Sequence, residues 1–554
     1  MSGSKRARPG ANGDGKPKRA KAAIVPIYAR LPKGPHSIGA TGVARNQRIR
    51  MHGGMIEAVA TRGYEHTSVR LVIGLAGVSR RAFYEQFSGK EECFIATFDL
   101  VVKRAIQRLT HAYRTAEGDP EKRLRMALEA LGEEIEQNPK ALHLVMIDAQ
   151  TAGPEGLRRL HKTTALCEGL LRSVFSEECW PTTGFADGPI DDRPADRPEA
   201  LPLPVVRAIV GGLRRTTSMR LRDGETEDLG ALPREMLKWS LLFKSPAAAQ
   251  LRPRPCASPP VPEVATLEPD ACGGESSRGR LLRSAIELLV REEKLDELSS
   301  LRIADAALLP IEAFMELFSG PEACYLEALD VLGDELLQLV ADPGLVSAEW
   351  PAAVCHTVDA LLEYLARSPA RLQTLAVKAF EAGPAAIASV GDLAYEVATL
   401  LSEGAPRRPR TRIAVEGIAG ALWQILNCEA TAGRGHRLPV LCEYVSYVVL
   451  APFIGPEAAV QAVVRSRRPA ASVQPEEASA AAAQTNGNHA RNGASPTPST
   501  RIRTPPTAHT ANGSNGSPVS PREDYRRLAE RRSTKCVNTI PTSTESTITT
   551  IKGA

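Results

Sequence analysis

Residues 67–94 read TSVRLVIGLAGVSRRAFYEQFSGKEECF, and the reading of this stretch decides the fold. It predicts a short helix, a glycine-containing turn, a second short helix and the start of a third, which is a helix-turn-helix. Upstream, Met51, Met55, Ala58 and Val59 recur at helical spacing while Arg48, Arg50, Glu57 and Arg62 fill other faces. An amphipathic helix from about Ala44 to Arg62 is expected, stopped by Gly63, the residue type that most easily takes a left-handed C-terminal conformation. Thr67 or Ser68 is placed to N-cap the next helix, whose apolar residues are Val69, Val72, Ile73 and Ala76. Gly77 breaks that helix, Val78 fills the core behind the turn, and Ser79 caps the helix that follows. On it Phe83 and Phe87 lie four apart and point inward, so Arg80, Arg81, Tyr84 and Glu85 take the opposite arc. Two guanidinium forks and a phenol on a short exposed helix suit phosphate oxygens and guanine edges. Ser88-Gly89-Lys90-Glu91 then reads as a capping box that starts a third helix with Lys90 beside its free amides.

Taken alone, Ser-Arg-Arg on a short helix is more often solvated surface than a nucleic-acid contact. Here the turn, the caps, the aromatic pair and the lysine all fall at compatible spacings. The arrangement over Arg45 to Phe98 resembles the TetR family of bacterial transcriptional regulators. The residues that carry the resemblance are Gly63-Tyr64, Thr67-Ser68-Val69, Ala76-Gly77-Val78-Ser79, Phe83-Tyr84, Phe87 and Lys90-Glu91. In that family the second helix of the motif enters the major groove. The resemblance implies that Arg80, Arg81 and Tyr84 contact the groove or phosphates, with Thr67 or Ser68 and also Lys90 as phosphate contacts and Ser79 at the start of the reading helix. The chain departs from the family pattern at Leu71, Gly74 and Leu75, where charged residues are usual. These departures weaken the first helix of the motif, since glycine inside a helix costs about 1 kcal/mol, but they leave the reading face alone.

The pattern returns 231 residues later with its cations removed. Ser79–Phe94 aligns without a gap on Pro310–Tyr325, and 8 of 16 positions are identical. The identities are core aromatics and helix caps, among them Phe314, Phe318, Ser319, Gly320 and Cys324. The differences fall on the DNA side: Arg80 becomes Ile311, Arg81 becomes Glu312, Tyr84 becomes Met315 and Lys90 becomes Pro321. Gly77 becomes Leu308, which predicts a remodelled turn. Beyond the heads, Asp99 matches Asp330, Pro139 matches Pro369, and Ala152-Gly153-Pro154 matches Ala382-Gly383-Pro384. Further on, Ala208, Gly211, Leu232-Pro233 and Pro246 match Ala414, Gly417, Leu438-Pro439 and Pro452. Repetition on this scale is the mark of a duplicated domain. The second copy reads as a helix-turn-helix kept as scaffold and lost as a DNA reader.

The chain therefore reads as all-α, with two tandem halves, each a helix-turn-helix head plus a helical body, between disordered termini. The expected divisions are a basic arm over 1–44, a DNA-binding head over 45–98 and an effector and dimerisation body over 99–244. A Pro/Gly-rich linker over 245–278, a degenerate head over 279–329, a second body over 330–464 and a tail over 465–554 follow. Net charge is only +5, but Lys5, Arg6, Arg8, Lys16, Lys18, Arg19 and Lys21 crowd the arm, either as an electrostatic clamp on DNA or as a solubilising leader. Ten cysteines are scattered singly, with no CxxC pair and no Cys/His cluster at zinc spacing, so reduced thiols and no structural metal are expected. Cys93 and Cys324 sit at equivalent core-side positions and read as packing residues. No signal peptide or membrane span is expected, and Leu438–Ile454 reads as an interface helix.

No Ser/His/Asp set, P-loop, strand-borne GxGxxG or framed carboxylate pair points to an enzyme or a cofactor. The expected function is sequence-specific DNA binding by the first head, in a bacterial cytoplasm and on the nucleoid, most simply as a repressor. The alternative is a ligand- or protein-binding TetR-like chain that has lost specific DNA binding. Family resemblance implies a small-molecule effector held in a helical body, with candidate segments Leu124–Leu171 and Val354–Leu401 and polar anchors His143, His161, Tyr364 and Gln373. It also implies a four-helix dimer interface. The equivalents, Val205–Arg220 with Pro233–Lys244 and Arg412–Glu429 with Pro439–Phe453, lie on one polypeptide, so an intrachain pseudo-dimer is expected, or a homodimer if two chains bring their first heads together.

Overall fold

Apolar residues recurring every three or four positions dictate helices throughout, and no strand occurs among the described residues. A computed structural model describes residues 40–175, 201–223, 230–254, 267, 269, 271–291, 298–342, 349–409, 411 and 413–467. Residues 1–39 of the expected basic arm, residues 176–200, part of the expected linker and nearly all of the expected tail lie outside these residues.

The described chain divides into two compact units. One comprises the residues through Val102 together with Lys140–Arg159; the other comprises Lys103–Pro139 and the residues from Leu160 onward. This division falls inside the segment expected as the first body.

The first unit is built on α1 (Ala40–Arg62), α2 (Val69–Ala76), α3 (Arg80–Tyr84) and the first half of α4 (Lys90–Thr115). The first helix begins four residues before the expected Ala44, and Gly63 ends it in the left-handed region at φ 73°. Met51, Met55, Val72, Phe83, Phe87, Phe94 and Phe98 form its buried core. Between α5 (Pro120–Gln137) and α7 (Gly153–Phe175), α6 (Pro139–Met146) adds to this unit, and Lys140 reaches Glu57 of α1 at 2.5 Å.

In the second unit, α8 (Leu203–Asp223) and α9 (Leu232–Leu242) precede a set of four helices. That set is α10 (Ser277–Arg291), α11 (Ser300–Ala306), α12 (Ile311–Leu317) and α13 (Pro321–Val340). A helical body follows: α14 (Trp350–Arg367), α15 (Pro369–Gln373), a π-helical turn over Thr374–Lys378, α16 (Ala379–Glu381), α17 (Pro384–Ser402), α18 (Ala414–Thr431), α19 (Cys442–Ile454) and α20 (Pro456–Ser466). The stretches Pro384–Ser402 and Gly435–Ile454 are long and apolar enough to cross a membrane by length and composition. In the structure α17 packs against α13 and α18, and α19 packs against α14 and α20.

The most extensive helix pairing in this unit joins α8 to α18. Small residues permit it: a Cβ on Gly211 would fall 2.4 Å from the Gly420 carbonyl oxygen, and one on Gly420 would fall 2.4 Å from that of Gly211. Trp239 of α9, fully buried, donates its indole N–H to the Ile209 carbonyl at 3.3 Å and lies against Gly212 and Gly417. Tyr447 of α19 donates to the Phe243 carbonyl at 3.1 Å. Helices α8, α9, α18 and α19 thus share one core within one chain. A buried polar cluster ties it to α7: Arg207 lies 3.5 Å from Glu168 and 3.4 Å from Glu429, and Gln424 donates to Glu168 at 3.1 Å.

Several contacts of the first unit recur in the second between residues 230 or 231 positions further along the chain. Val78 N–H reaches the Ile73 carbonyl at 3.2 Å and Leu309 N–H the Ala304 carbonyl at 3.0 Å; Gly77 N–H reaches Gly74 at 3.3 Å and Leu308 N–H Asp305 at 3.0 Å. Arg50 donates to the Gly77 carbonyl, and Arg280 donates to those of Ala307 and Leu308. Arg48 lies 4.8 Å over the Phe87 ring, and Arg278 lies 5.4 Å over Phe318. Asp99 pairs with Arg159 at 2.9 Å, and Asp330 accepts from Ser389 at 2.9 Å. The turn expected to be remodelled keeps its conformation: Gly77 has φ 60° and Leu308 φ 54°. The bonds to the Ala304 and Asp305 carbonyls and from Arg280 hold the leucine in a region that costs an L-residue roughly 1–2 kcal/mol. The parallel has limits, since Pro246 opens a 3₁₀ turn whereas Pro452 lies inside α19.

Candidate nucleic-acid interface

The interface is built from α2, its turn and α3. Ser68, extended at φ −120°, caps α2 by accepting from the Leu71 N–H at 3.3 Å. Thr67 is only 3% exposed and donates its hydroxyl to the Gly63 carbonyl at 2.8 Å. Of the two candidate caps, Ser68 takes the role, and Thr67 closes the bend between α1 and α2 from the inside. Ser79 caps α3, accepting from the Ala82 N–H at 3.1 Å. Its hydroxyl proton remains available to a further acceptor.

Helix α3 hangs on Phe83 and Phe87, both fully buried, whose ring centroids lie 5.6 Å apart. That anchoring turns Arg80, Arg81 and Tyr84 outward, as the spacing predicts. The Arg81 side chain is 90% exposed and pairs with Glu85 at 2.8 Å. Arg80 lies 5.6 Å from the centre of the Tyr84 ring, and Tyr84 is itself 47% exposed. The structure thus brings Ser79, Arg80, Arg81 and Tyr84 together on one short helix, with Ser68 exposed at the start of the helix before it.

Lys90 stands apart from that group. Its ammonium donates to the Tyr64 carbonyl at 3.1 Å and lies 4.1 Å over the Tyr64 ring. Burial lowers its pKa. In this conformation Lys90 neutralises the carbonyl end behind α1. The capping box at the start of α4 also differs from expectation. Glu92, not Glu91, reaches back, its carboxylate accepting from the Ser88 N–H and hydroxyl at 2.7 Å each. These bonds hold the Glu92 carboxyl below its ordinary pKa.

Two further residues position the site: Arg50, read from sequence only as filling an outer face, and His52, which the sequence did not single out. Arg50 ties α1 to the turn through the Gly77 carbonyl. His52, buried against Phe87, meets the Thr97 hydroxyl at 2.8 Å. Thr97 donates to the Cys93 carbonyl at 2.6 Å, so its oxygen accepts from His52 and Nδ1 carries the proton. Burial, reinforced by Arg48, lowers the His52 pKa to about 4. The Arg48 and Arg50 signal was in the repeat, where Arg278 and Arg280 stand 230 residues on.

Residues 56–97 match the family described as bacterial regulatory proteins, tetR family. This segment is similar to the N-terminal domain of that family. A curated relative is similar to the chain at 26% identity over 122 residues: the HTH-type transcriptional activator FasR of Mycolicibacterium smegmatis. The match covers 22% of this chain and 55% of FasR, so the chain spans about half the length of that relative. Two solved structures of FadR regulators are also similar. The fatty acid degradation regulator of Bacillus halodurans is 18% identical, with a TM-score of 0.30, covering 38% of this chain and 97% of its own. The transcriptional regulator FadR of Bacillus subtilis, in complex with stearoyl-CoA, is 15% identical, with a TM-score of 0.27, covering 35% of this chain and 96% of its own. The matched segment, residues 56–97, contains every candidate DNA-contact residue named above.

The candidate effector anchors are already engaged. His143 meets Asp148 at 2.7 Å, Tyr364 donates to Glu335 at 3.0 Å, and Gln373 donates to the Ala430 carbonyl at 2.9 Å. Burial lowers the pKa of His161, with the Arg214 charge acting the same way. Two cavities in the second unit draw on the segment 354–401. One, of about 460 Å³, is lined by Cys355, His356 and Asp359 together with Arg254, Glu443 and Arg467. The other, of about 40 Å³, is apolar and bordered by Leu361, Leu365, Leu375 and Trp423 beside the π-helical turn.

Proposed function

We propose that this protein is a sequence-specific DNA-binding transcriptional regulator that reads DNA with α3. One observation carries the reading: α3, hung on two buried phenylalanines, presents Arg80, Arg81 and Tyr84 outward beside the capping hydroxyl of Ser79. Arg80 and Arg81 have the donor geometry for guanine O6 and N7 or for phosphate, and Tyr84 adds a phenol and an apolar ring. Ser68 and Ser79 donate to phosphates. Lys90 joins them by exchanging the Tyr64 carbonyl for a phosphate oxygen, and Thr67 acts by holding the bend before α2.

The recurrence of the turn, the arginine clamps and the Asp99 and Asp330 contacts supports a duplicated architecture in which α10–α13 is a second head without cations. The packing of α8 and α9 with α18 and α19 supports an intrachain pseudo-dimer, so one chain reads a single half-site. Repression by occupancy is the proposed sign, with a small aliphatic effector at the leucine-lined cavity, which must widen to admit one. In vitro transcription from a bound promoter tests the sign, because FasR is named an activator.

The decisive experiment is selection of duplexes from random DNA by the full chain and by its Arg80→Ala/Arg81→Ala variant. One short motif, recovered by the parent and lost in the variant, is the expected result. A palindrome would mean that two chains bring two first heads together. No motif, with salt-sensitive binding unchanged in the variant, would overturn the proposal in favour of a chain that binds ligand or protein only.

A further inference from the structure

The α11–α12 pair carries an exposed apolar surface where α2–α3 carries cations. Leu301 is 55% exposed, Leu308 84% and Met315 66%, with Ile311 half-buried between the last two. Leu308 stands at the tip of the turn with φ 54°, so its side chain projects from a backbone that disfavours any side chain. Arg280 fixes that turn from α10 by donating to the carbonyls of Ala307 and Leu308. Among the described residues the leucine side chain is left largely uncovered.

The charge around this surface is inverted as well. Residues 69–91 hold four cations (Arg70, Arg80, Arg81, Lys90) and two carboxylates (Glu85, Glu91), a net +2. Residues 300–322 hold one cation, Arg302, and four carboxylates (Asp305, Glu312, Glu316, Glu322), a net −3. All four of these carboxylates are exposed. An apolar strip with an anionic rim repels nucleic acid, and it repels a second copy of itself laid face to face.

We infer that the α11–α12 face is a protein-docking surface whose occupant is a basic amphipathic helix of a partner protein. The occupant's apolar residues cover Leu308, Ile311 and Met315, and its lysines or arginines meet Glu312, Glu316 and Asp305. Rigid backbone presentation favours such a partner, because the strip is held ready by the Arg280 clamp and loses little freedom on binding. The inference stands on this face alone and does not depend on DNA binding by α3.

The test uses the full chain and a fluorescent helical peptide of leucine and lysine, with leucines on one face, against a leucine–glutamate counterpart. Anisotropy should show binding of the lysine peptide only. Affinity should fall about tenfold or more in Leu308→Gly/Met315→Gln and, separately, in Glu312→Lys/Glu316→Lys, while Arg80→Ala/Arg81→Ala leaves it unchanged. Leu308→Gly restores the residue type that the turn favours, so its melting temperature should hold or rise and unfolding cannot mimic lost docking. Equal binding of the lysine peptide by parent and both variants would overturn the inference. So would sedimentation showing a dimer of the parent that Leu308→Gly/Met315→Gln abolishes, since the occupant would then be a second copy of this chain.

Discussion

Arg81 and Glu85 pair on a surface where both side chains face water, and such pairs are worth less than about 1 kcal/mol. A phosphate or a guanine edge can therefore take the guanidinium with little loss. Arg80→Ala and Arg81→Ala should each weaken specific binding by about 1–3 kcal/mol in an anisotropy titration, and a lost phosphate contact should also lower the salt slope by about 1. The outward turn of these arginines was legible from the phenylalanines four apart. The positions of Thr67 and Lys90 were not, because a hydroxyl or ammonium beside a free carbonyl pairs with it, and sequence does not show which carbonyls the tertiary fold leaves free. His52 supplies a pH test. Its pKa is lowered from 6.5 to about 4, so the folded chain keeps it neutral where the unfolded chain protonates it. Its contribution is complete above pH 6.5 and is lost as pH falls toward about 4, to a limit of roughly 3 kcal/mol. Denaturant midpoints at about pH 7.5 and about pH 4.5 should differ less in His52→Gln than in the parent.

Among the elements, α2 is the weak member of the reading pair. Gly74 sits in its interior, exposed, with no atom within 4 Å of an added Cβ. Gly74→Ala should therefore raise stability by about 0.5–1 kcal/mol without touching the reading face, as a thermal melt would show. The second turn offers the complementary case: Leu308→Gly removes a left-handed leucine and should stabilise the chain by about 1 kcal/mol. Sequence identified both short helices and both turns. It missed that the second turn would keep its conformation without a glycine, because the backbone bonds to Asp305 and Ala304 and the Arg280 clamp do not depend on the side chain at the turn. The Ser88 box was misread by one residue for a related reason. Glu91 and Glu92 both lie within reach of a cap, and the backbone entry angle chooses between them.

At the scale of the molecule, the α8–α18 contact depends on two glycines that face one another across it. Gly420→Val would drive its side chain into the Gly211 backbone and the Arg215 side chain, costing about 1–3 kcal/mol or more and lowering the melting temperature. The family resemblance implied that these helices pair, and Ala208 and Gly211 return as Ala414 and Gly417. Its closeness was not, because Gly420 has Arg214 as its counterpart and breaks the pattern. Both surfaces of this contact arrive on the same polypeptide, joined by about two hundred residues of chain, so their encounter is governed by effective concentration and not by the number of molecules in solution. Dilution, which separates ordinary subunits by mass action, leaves such an interface populated. A regulator assembled this way would keep the same competence whether a cell holds a thousand copies or one.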